Sequence, residues 1–248
     1  MQRIVLITGA SRGIGAASAV LAAQAGWDVA INFTRDEAAA QAVAQQVQAL
    51  GRRALTVQAD VGIEADVIRL FNTVDQQLGR ISGLVNNAGI VATGMRMEGF
   101  TWDRMERVMR INVLGTLACC REATRRMSRQ HGGEGGSIVN LSSAAARLGG
   151  PNEYVDYAAS KGAVDSLTIG LSKELAVDGI RVNAIRPGLI DTDIHASGGK
   201  PNRAFDNAHL VPLQRPGTAH EVAEAVVWLL GEASSYCTGS LLDVSGGR

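Results

Sequence analysis

Residues 4–15 read Ile4-Val5-Leu6-Ile7-Thr8-Gly9-Ala10-Ser11-Arg12-Gly13-Ile14-Gly15, and their order decides the fold. Ile4 to Ile7 is a short apolar run rich in β-branched residues, which suits a buried strand. The glycines that follow permit a tight turn. Residues 16–25 are alanine-rich and helix-forming, with Gly26 placed to close the helix. Strand, glycine loop and helix in that order open a nucleotide-binding βαβ unit, because glycines let backbone N–H groups at a helix N-terminus approach a pyrophosphate. The spacing Gly-x-x-x-Gly-x-Gly departs from Gly-x-Gly-x-x-Gly, so the signal lies in its place at a strand-to-helix junction.

Working outward, residues 28–33 form a second strand whose end is where such a fold selects its cofactor. An acid there binds the adenosine ribose 2′-hydroxyl and repels a 2′-phosphate. This chain instead carries Asn32-Phe33-Thr34-Arg35, with Arg12 in the glycine loop facing the same region. Two cations and a hydroxyl favour NADP(H) over NAD(H), with simple surface arginines as the alternative. Asp36 and Glu37 are expected in the first turn of a helix over 36–50 that Gly51 closes.

The alternation continues with a strand at 54–58 and a helix at 63–78. Asp60 falls at the strand's carboxyl end, where it suits either an adenine contact or a helix cap. A strand at 83–85 leads into Asn86-Asn87-Ala88-Gly89, a turn beside the cofactor region. A helical pattern over 101–130 starts at a capping Thr101 and holds Asn112, an amide that needs a partner if buried. Its basic run, Arg121, Arg125, Arg126 and Arg129, has the spacing of a solvated face. After a glycine-rich loop at 131–136, a strand at 137–141 delivers Ser142-Ser143 to the sheet edge where ligands bind.

A helix carrying Tyr157 and Lys161 extends to about residue 178. The four-residue spacing puts phenol and ammonium on one face, where the positive charge is expected to lower the tyrosine's pKa. A strand at 181–186 ends at Pro187-Gly188. Residues 189–210 have the look of a mobile flap with Thr192 at its base, placed to hold a cofactor amide. A helix at 219–230 and a strand at 240–244 complete the chain.

Of the 248 residues, 46% are hydrophobic, enough for one sizeable α/β core. Lys and Arg balance Asp and Glu at 24 each, which argues against a nucleic-acid or anionic-membrane partner. Met1-Gln2-Arg3 runs directly into the first strand, and no apolar run approaches the ~20 residues of a membrane span, so a soluble cytoplasmic protein is expected. Cys119, Cys120 and Cys237 suit reduced thiols, and the histidines show no metal-ligand spacing.

Taken together, the 8–15 loop, Asn86-Asn87-Ala88-Gly89, Asn112, Ser142-Ser143, Tyr157-Ala158-Ala159-Ser160-Lys161 and Pro187-Gly188 make the chain resemble the short-chain dehydrogenase/reductase family, single-domain type, over essentially its full length. The resemblance implies one domain over 1–248: a Rossmann-like, doubly wound, mostly parallel seven-stranded sheet with helices on both faces. It also implies a homotetramer or homodimer built through long helices.

By the same resemblance, Tyr157 is the general acid in carbonyl reduction and the base in alcohol oxidation. Lys161 lowers its pKa and binds the nicotinamide ribose. Ser143 orients the substrate oxygen, and Asn112 holds a water in a proton relay behind Lys161. The cofactor is lined by Gly9, Ser11, Arg12, Gly13, Ile14 and Gly15, by Asn32, Thr34, Arg35, Asp60 and Val61, by Asn87, Ala88 and Gly89, and by Pro187, Gly188, Ile190 and Thr192. The interval from Ser143 to Tyr157 is one residue longer than the commonest family spacing, and the extra residue falls in 147–156, a loop expected to shape the substrate pocket. A carbonyl or alcohol small molecule is the expected substrate, including a ketoacyl group on a carrier or a sugar. A non-catalytic dinucleotide sensor or scaffold is the alternative from another class.

Overall fold

Apolar runs of four to eight residues become strands, and helices between them cover both faces of one sheet. The computed structural model describes residues 3–248; Met1 and Gln2, part of the reading of the chain's start, lie outside them. In chain order the elements are β1 (Ile4–Ile7), α1 (Gly13–Gln24), β2 (Asp28–Phe33), α2 (Glu37–Ala49), β3 (Ala54–Gln58), α3 (Glu64–Gln77) and β4 (Gly83–Asn86). The second half adds α4 (Trp102–Met109), α5 (Thr116–Met127), β5 (Gly136–Leu141), α6 (Ala145–Leu148), α7 (Val155–Glu174) and β6 (Ile180–Pro187). It ends with β7 (Ile190–Asp191), α8 (Ile194–Ser197), α9 (Arg203–Asp206), β8 (Gly217–Thr218), α10 (Ala219–Leu230) and β9 (Leu241–Val244).

The seven-stranded sheet has the order β3-β2-β1-β4-β5-β6-β9, and every neighbouring pair is parallel. Its order reverses direction between β1 and β4, which pair through Ile7 and Val85, so the crevice at their carboxyl ends is the topological switch point where ligands bind. Alternate residues of β1 feed opposite cores: Val5 and Ile7 pack with Ala19, Val226 and Leu229, whereas Ile4 and Leu6 pack with Phe71, Met127 and Leu175. That period of two, buried on both sides, is why the strands read as continuous apolar runs. No helix among the described residues is long and apolar enough to cross a membrane.

Several elements depart from the sequence expectations. The first helix begins at Gly13, so its first turn contains two of the loop's glycines. Asp36 caps α2 rather than lying in its first turn, accepting from the Ala39 N–H at 2.9 Å. The helix expected over 101–130 is capped by Thr101 as read, but a wide π turn at Arg110–Gly115 divides it into α4 and α5. Asn112 sits in that turn.

Of the basic run, Arg121, Arg125 and Arg129 are exposed as expected for a solvated face, and Arg126 is the exception. Arg126 is nearly buried and pairs with Asp75 at 2.7 Å and Glu122 at 2.9 Å; Arg125 also pairs with Glu122, and Arg121 with Glu64. The segment expected as a flap contains β7, α8 and α9, with β7 pairing to β8 in a two-stranded parallel ribbon.

Candidate active site

The glycine loop is held from beneath by Thr8 and Asn87. The Thr8 hydroxyl accepts from the N–H groups of Asn87 and Ala88, each at 3.0 Å, and Asn87 Nδ2 donates to the carbonyls of Thr8 and Gly9, each at 2.9 Å. Gly9 takes φ +61°, a left-handed conformation suited to glycine. A Cβ on Gly15 would lie 2.5 Å from Asn87 Nδ2 and from the Gly9 carbonyl oxygen, so only glycine fits this crossing. The N-terminus of α1 has no side-chain cap and no acid in its first turn. Its positive end and N–H groups are therefore available to an anion. Thr192 approaches the loop from across the crevice, within 3.6 Å of a Cβ position on Gly13.

Asn32 is fully spent within the protein: Oδ1 accepts from the Gly9 N–H at 3.2 Å, and Nδ2 donates to the carbonyls of Ala59 and Val57 at 3.0 and 3.3 Å. It braces the loop instead of facing a ligand. Thr34 and Arg35 are exposed just beyond β2, and Arg12 is exposed in the loop. Among the described residues neither arginine enters an ion pair, and Asp36 is occupied by its cap. Asp60 does not cap α3, whose N-cap is Ile63; its Oδ1 accepts from the Gly62 N–H at 2.8 Å, and it borders a groove with Thr34, Gln58 and Arg69. Val61 is buried against Gly115 of the π turn. Pro187 and Gly188 lie at the end of β6, where the Pro187 carbonyl accepts from Ala144 N–H and Gly188 N–H donates to Val244. Ile190 is buried beside them.

These groups fit a dinucleotide. A glycine cradle that a Cβ on Gly15 would obstruct, an uncapped helix N-terminus and two cations without ion pairs, Arg12 in the glycine loop and Arg35 just beyond β2, form a donor set matched to phosphates.

The second part of the site lies over β5 and α7. Ser142 and Ser143 separate cleanly: the Ser142 hydroxyl is buried and donates to the Lys161 carbonyl at 3.1 Å, whereas the Ser143 hydroxyl accepts from the Ala145 N–H at 3.1 Å on the side of the Tyr157 phenol. Lys161 is 5% exposed; its Nζ donates to the Leu141 carbonyl at 2.6 Å and lies 5.7 Å from the Tyr157 ring centroid. Burial pushes Lys161 down to about 8, against an opposing pull from Asp165. A Cβ on Gly89 would lie 3.4 Å from both Lys161 Nζ and Asn112 Oδ1, which places these side chains around one point. Asn112 is itself fixed by the Ile90 backbone, accepting from its N–H at 2.8 Å and donating to its carbonyl at 2.9 Å.

The expected lowering of the tyrosine by Lys161 is not found. Burial pushes the Tyr157 phenol above its ordinary value, and this outweighs the downward pulls of the Ser143 hydroxyl and the Arg203 charge. Removing water from the phenolate dominates, and the ammonium is directed to a backbone carbonyl.

The side chains that close this end come from the loop before Tyr157 and the segment after β7, where the sequence places Glu153, Tyr154 and His195 as pocket residues; Arg203 and Lys200 carry no such signal. Tyr154 meets Tyr157 edge to face, with ring centroids 5.7 Å apart, and Arg203 hydrogen-bonds the Tyr154 hydroxyl. Glu153 pairs with Arg203 at 2.5 Å and with Lys200 at 2.7 Å, which pins 200–203 to the loop before α7. Burial pushes the Glu153 carboxyl up, but the two cations prevail and hold it at about 2. His195 is half-buried, and its Nε2 contacts the Ile190 carbonyl at 2.8 Å.

A family model described as enoyl-(acyl carrier protein) reductase matches residues 9–248. The chain is 51% identical over 245 residues to the uncharacterized oxidoreductase YgfF of Escherichia coli (strain K12), covering 99% of each. It is 34% identical over 249 residues to the 3-oxoacyl-(acyl-carrier-protein) reductase FabG of Staphylococcus epidermidis, covering 100% of this chain and 99% of the relative. A solved short-chain dehydrogenase from Burkholderia cenocepacia J2315 in complex with NADP superposes with a TM-score of 0.89 at 35% identity, over 99% of this chain and 97% of that one. The chain belongs to the short-chain dehydrogenase/reductase family of oxidoreductases.

Proposed function

We propose that the protein is an NADP(H)-preferring carbonyl reductase or alcohol dehydrogenase in which Tyr157 moves the proton. The observation that carries this reading is the gathering of the Tyr157 ring, the buried Lys161 ammonium 5.7 Å from its centroid and the neighbouring Ser143 at the ligand-binding edge of the sheet. Bound nicotinamide supplies the hydride donor or acceptor. The Ser143 hydroxyl orients a substrate oxygen next to the phenol, and Tyr157 gives it a proton in reduction or removes one in oxidation. A phenol held protonated by burial suits the reductive direction. Lys161 and Asn112, gathered around Gly89, hold the ribose side and a proton-relay water respectively.

Gly9, Ser11, Gly13, Ile14 and Gly15 hold the pyrophosphate, and Arg12, Thr34 and Arg35 hold a 2′-phosphate. Asp60 and Val61 border the adenine; Ala88 and Gly89, with Pro187, Gly188, Ile190 and Thr192, border the nicotinamide half. The NADP complex of the Burkholderia relative supports this assignment. Residues 1–248 act as one cytoplasmic domain. Exposed Trp102, Met109, Leu114 and Leu117 along α4 and α5, with Ile169 on α7, support assembly into a homotetramer or homodimer.

The FabG relative brings a ketoacyl thioester forward as substrate class, although Arg125 and Arg126 are occupied by Glu122 and offer little free charge to an acidic carrier. The test is a panel of ketones, aldehydes, acetoacetyl thioesters and glucose, followed by NADPH or NADP absorbance. Turnover of at least one carbonyl or alcohol is expected. Tight NADPH binding with no turnover across the panel would favour a sensor or scaffold instead.

A further inference from the structure

We infer that Arg203 is a positioning residue for the reaction: docked on Glu153 and Tyr154, it holds a positive charge beside the Tyr157 phenol and so sets the pH at which that phenol releases its proton. This rests on the reading of Tyr157 as the proton-transferring group. The geometry is a chain of contacts from the segment after β7 to the tyrosine. Arg203 hydrogen-bonds the Tyr154 hydroxyl, its Cζ lies 5.1 Å from the Tyr154 ring centroid, and that ring meets Tyr157 edge to face at 5.7 Å.

The charge survives its partners. Glu153 is shared between Arg203 and Lys200, so one carboxylate faces two cations and the cluster keeps a net positive charge. The Arg203 side chain is 12% exposed and its Nε is buried without a partner, so water screens it little.

The other charged groups around Tyr157 are already spent. On α7, Asp156 forms a bidentate pair with Arg104, and the two side chains are 6% and 9% exposed. Lys161 is directed to the Leu141 carbonyl with Asp165 behind it, and Asp165 pairs with Arg186 at 2.8 Å. His195, from α8, is kept toward its neutral form by burial and by Arg203 itself. A cation near a phenol favours the phenolate, and Arg203 pulls Tyr157 downward against the upward push of burial. Glu153 and Tyr154, the residues that seat Arg203, lie in the loop that is one residue longer than usual.

The test reads the phenol and the activity separately. In protein carrying ring-labelled tyrosine, the Tyr157 signal is the one missing from Tyr157→Phe, and its titration is followed by NMR. In Arg203→Gln the phenol titration should move up by about 0.5–1 pH unit. With NADP present, the midpoint at which kcat/KM for alcohol oxidation rises should move up with it. Glu153→Gln should move both down, and Arg203→Lys, which keeps the charge, should return them toward wild type. An unmoved phenol titration in folded Arg203→Gln, shifts of the same sign in Arg203→Gln and Glu153→Gln, or Arg203→Lys matching Arg203→Gln would overturn the inference. A phenol that shifts as expected while the activity profile stays fixed would uphold the Arg203 effect on Tyr157 and instead remove Tyr157 from catalysis.

Discussion

Asn112 Nδ2 donates to Ser160 Oγ at 3.0 Å, and that hydroxyl donates to the Tyr157 carbonyl at 2.7 Å, so the π turn between α4 and α5 is tied directly to the turn of α7 that carries Tyr157 and Lys161. Asn112→Ala leaves the Ile90 backbone groups without their side-chain partner and Ser160 without a donor, in a buried setting. Urea denaturation should show a loss of about 1–3 kcal/mol. Turnover should fall further than this stability loss explains, because Lys161 loses its neighbour around Gly89.

Arg12, in the glycine loop, and Arg35, just beyond β2, are exposed and enter no ion pair among the described residues. Replacing either with Ala should weaken NADPH binding roughly fivefold to tenfold while leaving NADH binding within about twofold. Fluorescence titration with both cofactors checks this. Equal losses for NADPH and NADH would mean that the arginines do not read the 2′-phosphate.

Lys161 carries a signature in stability against pH. Its folded value of about 8 lies below the ordinary lysine value of 10.5, so between those points the unfolded chain binds more protons than the folded one. Stability from this group therefore rises as pH increases through that window, and the full cost of the buried charge is present below it. That cost is about 3 kcal/mol. Lys161→Met should be more stable than wild type at pH 7, with the advantage shrinking toward pH ~10, and it should have little or no turnover. Melting curves across this range measure the difference.

Gly15→Ala places a methyl group where Asn87 and the Gly9 carbonyl already stand, at 2.5 Å. The loop must shift, so NADPH and NADH affinity should fall together, by about tenfold or more. Calorimetric titration of both cofactors distinguishes this loop effect from the selective loss expected for Arg12.

Much of this architecture was legible because it is local. The glycine loop, the alternation of strands with helices and the Tyr157–Lys161 spacing each follow from short stretches whose periodicity fixes their form. The choice between Ser142 and Ser143 was also approachable, since neighbouring positions at a strand end face different ways. What escaped depends on distance. Asn32 has the composition of a ligand contact, but carbonyls from β3 and the loop after it consume its amide. Arg126 falls in a run with the spacing of a solvated face, yet Asp75 on α3 and Glu122 within α5 draw it in. Arg203 lies 46 residues beyond Tyr157 in a segment without apolar periodicity, and only folding brings it to Tyr154.

The central claim, that Tyr157 transfers the proton, is tested most directly by Tyr157→Phe, which removes one oxygen and leaves the ring in its packing against Tyr154. NADPH affinity should stay within about threefold of wild type, while single-turnover reduction of the best carbonyl substrate falls by about a thousandfold. Single-turnover reduction at the wild-type rate in folded, NADPH-binding Tyr157→Phe would contradict the account.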